Sequence, residues 1–273
     1  QTRELFELIG DEDAHFHLST YMHAAHRSKV LQEIRERLNA GLKCRVVSTQ
    51  LVEAGVDIDF PTVYRNEAGI DSIAQAAGRC NREGKRVDGG RMFVFKSEKQ
   101  PPAGLLRQSA DAGNQTARLH SDDILSLDAV KTYFSHFYWK RSQGNGLDKK
   151  CIIDTANEDC PNLNFPFESL AKDYCLIEND TTGIIIPCDT NAELIEELRK
   201  GYYPDRLIIR KLQRYMVQVR KEVLADLINA GAIEDIFGDY SILLLSNTLL
   251  YDDKKIGLNT EQSYNYDVES LII

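Results

Sequence analysis

Long apolar runs are the first thing this sequence lacks. No stretch of its 273 residues approaches the roughly 18 consecutive apolar residues that a spanning helix needs, so no membrane-spanning helix is expected. The start has no basic segment followed by an apolar one, so it does not read as a signal peptide. It opens on Gln1 rather than Met, which points to a fragment or a processed chain. Paired cysteines are also missing. The six, at 44, 80, 151, 160, 175 and 188, include no CxxC pair and read as reduced thiols of a cytosolic protein. His15, His17, His23 and His26 lie close together, but no carboxylate or thiol joins them at ligand spacing. They read as ordinary polar residues, and no metal site is assigned.

Basic charge is scarce overall, and its distribution is informative. The formal net charge is −9. Residues 1–97 balance 14 Lys+Arg against 14 Asp+Glu, and the remaining 176 residues hold 19 against 28. The acidic excess therefore falls in the second part, which puts a boundary near residue 98. An acidic protein can still carry a local basic groove, because salt confines each field to about 10 Å. A hydrophobic share of 42% with 27% charged residues is ordinary for a soluble globular chain, long enough for two domains.

The first part alternates helix and strand. Val30, Leu31, Ile34 and Leu38 give 24–40 a helical period that stops at Gly41. Cys44–Ser48, Thr62–Arg65 and Arg91–Phe95 read as strands, and Ile70–Arg82 as a helix. The alternation predicts an α/β fold with a parallel sheet and helices on both faces. Residues 98–123, rich in Pro, Gly, Asn and Ser, read as a linker. Residues 124–273 read as a smaller α+β domain. It begins with a helix over Leu127–Arg141, whose aromatics Tyr133, Phe134, Phe137, Tyr138 and Trp139 suit a core or an interface. A loop follows over 142–166. Hairpins are expected over 174–187 and 240–251, with helices at Asn191–Lys200 and Lys221–Ala230.

The stretch Val46–Gly84 carries the chemistry. On an uninterrupted helix, Ile70, Ile73, Ala74, Ala77 and Cys80 would share one face, and Gln75, Gly78, Arg79 and Arg82 the other. That polar face has two Arg where a solvated face would mix Glu and Lys. Gly78 would cost about 1 kcal/mol in a helix interior, which makes sense where something approaches the backbone. Arginine's planar fork suits phosphate, and arginine fingers act on the charge of phosphoryl transfer. Thr49 and Gln50 stand at a strand's carboxyl end, where α/β sheets bind ligands. Asp57, two residues after Gly55, has a ribose hydroxyl or a turn as alternatives.

Ser48–Asp57 resembles motif V of superfamily-two helicases, and Gln75–Arg82 fits their motif VI, QxxGRxxR. The wording STQLVEAGVDIDF, then AGIDSIAQAAGRCNREG, resembles more closely the CRISPR-associated helicase–nuclease of type I interference systems, over residues 17–96. The resemblance implies a second RecA-like lobe over 1–97, incomplete at its start, followed by that family's C-terminal domain. It implies that Arg79 and Arg82 contact ATP, with Gly55, Asp57, Gln75 and Gly78 around the nucleotide. Thr49 and Gln50, with Ser19 and Arg27 more distantly, would meet a tracking single DNA strand. No GxxxxGK[ST] loop, DExH motif or His-Asp nuclease site occurs here. A first RecA-like lobe and a nuclease domain would supply them, holding most of the ATP and Mg2+. By itself the chain is not expected to hydrolyse ATP, unwind DNA or cut it. The implied activity is 3′-to-5′ ATP-driven translocation of DNA, recruited by an RNA-guided surveillance complex. The alternatives are another superfamily-two helicase acting on RNA or DNA, or a non-catalytic adaptor.

From Arg206 to Lys221 there are six basic residues and no acidic ones. Arg206, Arg210 and Arg214 would share a face if helical. This patch suits single-stranded DNA, an acidic partner or a solvated face with local ion pairs.

Overall fold

The computed structural model describes residues 2–10, 14–53, 55–142, 147–148, 150–158, 165–174, 180–238 and 241–260. Contacts group the chain into two compact units, Gln1–Ile58 with Asp180–Ile273, and Asp59–Asn179. The sequence boundary near residue 98 falls within the second of these.

In the first unit, α1 (Thr2–Ile9) precedes β1 (His15–Leu18), α2 (Ala24–Asn39) and β2 (Arg45–Ser48). β1 and β2 pair in parallel, Leu18 opposite Ser48, as alternation around a crossover helix requires. The remainder of this unit builds a four-stranded sheet in the order β6-β5-β8-β7, from β5 (Thr181–Ile185), β6 (Met216–Arg220), β7 (Ile233–Asp235) and β8 (Leu243–Leu245). Both sheet faces are covered. Ile184 and Ile186 pack with Val217, Val219, Leu243 and Leu227 of α10 (Lys221–Asn229). Ile185 points the other way, onto Ile195 and Leu198 of α8 (Ala192–Lys200) and Ile208 and Leu212 of α9 (Arg206–Leu212). Period-two alternation along β5 thus feeds two cores at once.

The strands of the two expected hairpins pair with other partners, distant ones for β5 and nearby ones for β8 and β9 (Tyr251–Asp252). β5 pairs antiparallel with β6 and in parallel with β8. The expected partner strand over 174–178 lies largely outside the described residues. β8 pairs with β7, while β9 pairs with β10 (Gly257–Leu258). The basic segment is not one helix either. α9 ends at Leu212, a 3₁₀ turn holds Gln213–Tyr215, and β6 comes next.

The second unit is built on the parallel pair β3 (Thr62–Asn66) and β4 (Arg91–Phe95). Between them runs α3 (Ile70–Ala77), shorter than expected. After β4 come α4 (Leu105–Leu119), α5 (Leu127–Ser142), α6 (Ile152–Glu158) and α7 (Phe167–Asp173). Two expectations are corrected here. Residues 98–123 contain α4 instead of a continuous linker, and residues 142–166 contain α6 instead of loop alone. α4 escapes hydropathy because its buried positions are Ala110, Ala112, Gly113 and Thr116. Small residues are needed there: a Cβ on Gly113 would lie 2.3 Å from the Ala68 carbonyl oxygen. The aromatic helix α5 supplies the core. Tyr133 is buried with Ile70, Ile73 and Ala112, and Phe134 and Phe137 pack beside them. Tyr138 and Trp139 stay exposed.

Candidate functional site

The arginine turn begins where α3 stops. Gly78 is the C-cap of α3, not an interior residue, and its N–H bonds the Ala74 and Ala76 carbonyls. A Cβ there would meet the Gln75 carbonyl oxygen at 3.4 Å as its nearest neighbour. Arg79 and Arg82 therefore lie beyond the helix and do not share a helical stripe with Gln75. The buried face of α3 is Ile70, Ile73 and Ala76, whereas Ala74 is exposed. The physical reason is local. Arg79 N and Cys80 N donate to Ala76 O and Ala77 O, three residues back, so the last turn tightens to 3₁₀ geometry. Asn81 then enters the left-handed region at φ 54°, which Asn tolerates better than most residues.

The loop beyond this turn is clamped. Phe60 N donates to Arg79 O at 2.9 Å, and Asn81 N donates to Phe60 O at 3.0 Å. The Asn81 side chain then pairs with the Arg86 backbone. Its Oδ1 accepts from Arg86 N at 3.0 Å, and its Nδ2 donates to Arg86 O at 3.1 Å. Arg82 N donates to Asp59 Oδ1 at 2.8 Å. Cys80 Sγ donates to the Arg91 carbonyl at 3.2 Å, and burial raises the thiol's pKa. The start of α3 is fixed as well. Tyr133 Oη donates to Asp71 Oδ1 at 2.7 Å, and burial, then that bond, pushes the phenol well above its usual range. Sequence reasoning missed Asp59, Asn81 and the Tyr133–Asp71 bond. Asn81 was visible only as a variable position of QxxGRxxR, and nothing local marks the other two.

The first unit carries the remaining candidates. Thr49 N donates to Leu18 O at 3.1 Å, so Ser19 and Thr49 stand side by side at the carboxyl ends of β1 and β2. Ser19 Oγ and Thr49 Oγ1 are both buried, and neither has a hydrogen-bond partner among the described residues. Gln50 is exposed in a 3₁₀ turn. Gly55 takes φ 74° and permits the turn that leads to buried Val56 and Ile58. Asp57 is exposed, and its backbone carbonyl accepts from Arg35 Nε at 3.0 Å. Arg27 donates to the Met22 carbonyl at 2.6 Å.

Near these strand ends, His23 caps α2, its Nδ1 accepting from His26 N at 3.1 Å. Its ring stacks on Tyr251 at 5.2 Å and lies 5.5 Å from the Tyr215 ring. The Arg214 guanidinium sits 5.6 Å from the centre of the same Tyr215 ring. Arg214 thus comes near the start of α2, while Arg210 is exposed on α9. Burial, then His26, lowers the His23 pKa to about 4, and burial, then Arg3, lowers His17 to about 4. Among the described residues, no group of three or more His, Cys, Asp or Glu gathers in a way that could hold a metal ion.

Residues 2–85 match the family model for the C-terminal part of the CRISPR-associated nuclease/helicase Cas3. The CRISPR-associated nuclease/helicase Cas3 of Haloferax volcanii is 40% identical over 156 residues, 47% of this chain and 16% of the relative. The Methanothermobacter thermautotrophicus protein of the same name is 22% identical over 262 residues, 93% of this chain and 29% of the relative. The chain thus spans less than a third of the length of either. The crystal structure of T. fusca Cas3-ADP overlays with a TM-score of 0.59 at 14% identity, covering 89% of this chain and 34% of that one. That of T. fusca Cas3-ATP gives 0.54 at 13% identity, with the same coverage. At such identity these overlays speak to the fold alone, and they agree with an α/β, RecA-like reading. Residues 2–85 are thus similar to the C-terminal part of Cas3 helicase–nucleases, and the fold as a whole resembles theirs.

Proposed function

From that similarity we infer that this chain works as part of an ATP-driven, single-stranded DNA translocase, coupled in the whole protein to a DNA nuclease in CRISPR antiviral defence. The observation that carries the reading is the clamped turn holding Arg79 and Arg82. It fixes the backbone of two motif VI arginines, and phosphoryl transfer rewards charge that is already in position. Gly55 and Asp57 of the first unit, and separately Gln75 and Gly78 of the second, are the residues this chain would offer to the nucleotide. Mg2+ would neutralise the phosphates, held mainly by a first RecA-like lobe, whose phosphate loop and DExH motif are absent from these 273 residues.

Ser19 and Thr49 support the DNA side. Their buried hydroxyls lack partners among the described residues, and a phosphodiester oxygen would accept from them without reading bases. Gln50, Arg27, Arg210 and Arg214 would extend that track. The proposed partners are single-stranded DNA, the RNA-guided surveillance complex, and the first lobe and nuclease domain of the same protein. The proposed location is the cytoplasm.

The test is Arg82→Ala in a full-length protein carrying this chain. DNA-stimulated ATP hydrolysis should fall by about 10³-fold, with DNA binding retained. Normal turnover would remove the arginine-finger assignment.

A further inference from the structure

A polar pocket of about 370 Å³ opens beyond the carboxyl ends of β3 and β4 in the second unit. Asn66 ends β3, and its Oδ1 accepts from Ser97 N at 3.1 Å, which ties the two strand ends together. Lys96 follows β4 directly. One face of α4 lines the pocket with Arg107, Asp111, Asn114 and Arg118, and Lys140 enters from α5.

These side chains are not equivalent. Arg107 is committed to the Pro101 carbonyl, to which Nε and Nη2 donate at 3.0 and 2.8 Å. Asn114 donates to Glu67 Oε2 at 3.3 Å. Lys96, Arg118 and Lys140 have no ion-pair partner among the described residues. With Lys99 and Arg107 the lining holds five cations against two carboxylates, Glu67 and Asp111, in a chain whose net charge is −9. Like charges drawn from three separate elements into one concavity repel each other unless an anion sits among them. The position also matters, because ligands of α/β folds bind outside the carboxyl ends of parallel strands.

The pocket is separate from the arginine turn. Asn66 and Glu67 precede α3, whereas Arg79 and Arg82 follow it. Eight helical residues at 1.5 Å each put about 12 Å between the two ends. The pocket's two carboxylates also disfavour a compact triphosphate, with its clustered negative charge, more than a backbone that carries one charge per phosphate.

We propose that this pocket binds a phosphate of a single-stranded nucleic-acid backbone, held by Lys96, Arg118 and Lys140. The proposal rests on the nucleic-acid reading above and assigns it a further set of contacts.

The experiment uses the full chain and a fluorescently labelled oligothymidylate, with anisotropy followed over a salt series. Lys96→Glu combined with Arg118→Glu should raise Kd at least about tenfold at about 50 mM salt. It should also flatten the slope of log K against log salt by about 1.4, or 0.7 for each lost contact. An unchanged Kd and slope overturn the proposal. Titration with inorganic pyrophosphate separates the sources of phosphate. If the double variant loses pyrophosphate affinity but keeps that for oligothymidylate, the pocket belongs to a free phosphate and the backbone assignment falls. Arg210→Glu with Arg214→Glu provides the parallel arm. If it weakens oligothymidylate binding while Lys96→Glu with Arg118→Glu does not, the pocket fails and the wider reading stands. A wild-type chain with no affinity for oligothymidylate overturns both.

Discussion

The two units bury their sheets to very different extents. In the first, β5 and β8 are enclosed on both faces, and Ile184, Ile185, Leu243, Leu244 and Leu245 are all buried. In the second, every residue of β3 and β4 is at least partly exposed, and Tyr64 and Phe93 stack on each other at 5.1 Å in the open. The second unit is held instead by the meeting of α3, α4 and α5 around Tyr133. Aliphatic layers sustain the first unit. A few close contacts sustain the element that carries the arginines, so its integrity hangs on individual atoms.

That contrast can be broken at several points. The largest effect is expected in the first unit. Leu243→Ala should cost about 3–5 kcal/mol, read by urea unfolding and by hydrogen exchange confined to β5, β6 and β8. A loss as small as a surface substitution would mean that the enclosed sheet is not the source of stability. In the second unit, Gly113→Ala should cost about 2–3 kcal/mol, because its Cβ meets a backbone oxygen that cannot rotate away. Exchange should accelerate in α3 and α4. Unchanged protection there would show that the close approach carries no weight.

Acid should separate the units next. His17 and His23 stay neutral in the folded first unit, with pKa values of about 4 against 6.5 for the ordinary side chain. The unfolded chain therefore binds more protons between these values. Stability is complete above about pH 6.5, declines as pH falls towards 4, and loses nothing further from these groups below that. Unscreened, each histidine would lose about 2 kcal/mol between pH 7.5 and pH 5; with solvent screening roughly halving this, we expect about 2 kcal/mol in all, or roughly 4–8 °C in Tm. His23→Asn keeps a side-chain acceptor for the His26 N–H and should flatten part of this dependence. An identical pH profile in that variant would clear His23. The smallest effect is expected at Tyr64→Ala on the open face of β3, within about 0.5 kcal/mol. A larger loss would mean that this face is covered in solution.

Legibility in the sequence followed locality. α2, α5, α8 and α10, with β2, β3 and β4, announce themselves through period and caps, and the parallel pairings follow from their alternation. α4 did not, because Ala110, Ala112, Gly113 and Thr116 bury backbone against backbone and leave no aliphatic stripe. The partners of β5 differ from the expected neighbour because they lie far along the chain, whereas β8 pairs with nearby β7 on one side and with distant β5 on the other. At the candidate site, the motif letters located Arg79 and Arg82. The same letters concealed that the helix ends at Gly78, since a glycine reads alike inside a helix and at its cap. Asp59 and Tyr133 act through contacts that no spacing rule encodes.

The bonds around Asn81 also bear on timing. The segment from Arg79 to Arg86 is joined to Phe60 at one side and closed by the Asn81 amide at the other. Its chain entropy, on the order of 1–2 kcal/mol per residue, is surrendered when the unit folds and not when a ligand arrives. An anion reaching Arg82 would then have only side-chain rotamers left to order, so its arrival should leave amide exchange along this loop nearly unchanged.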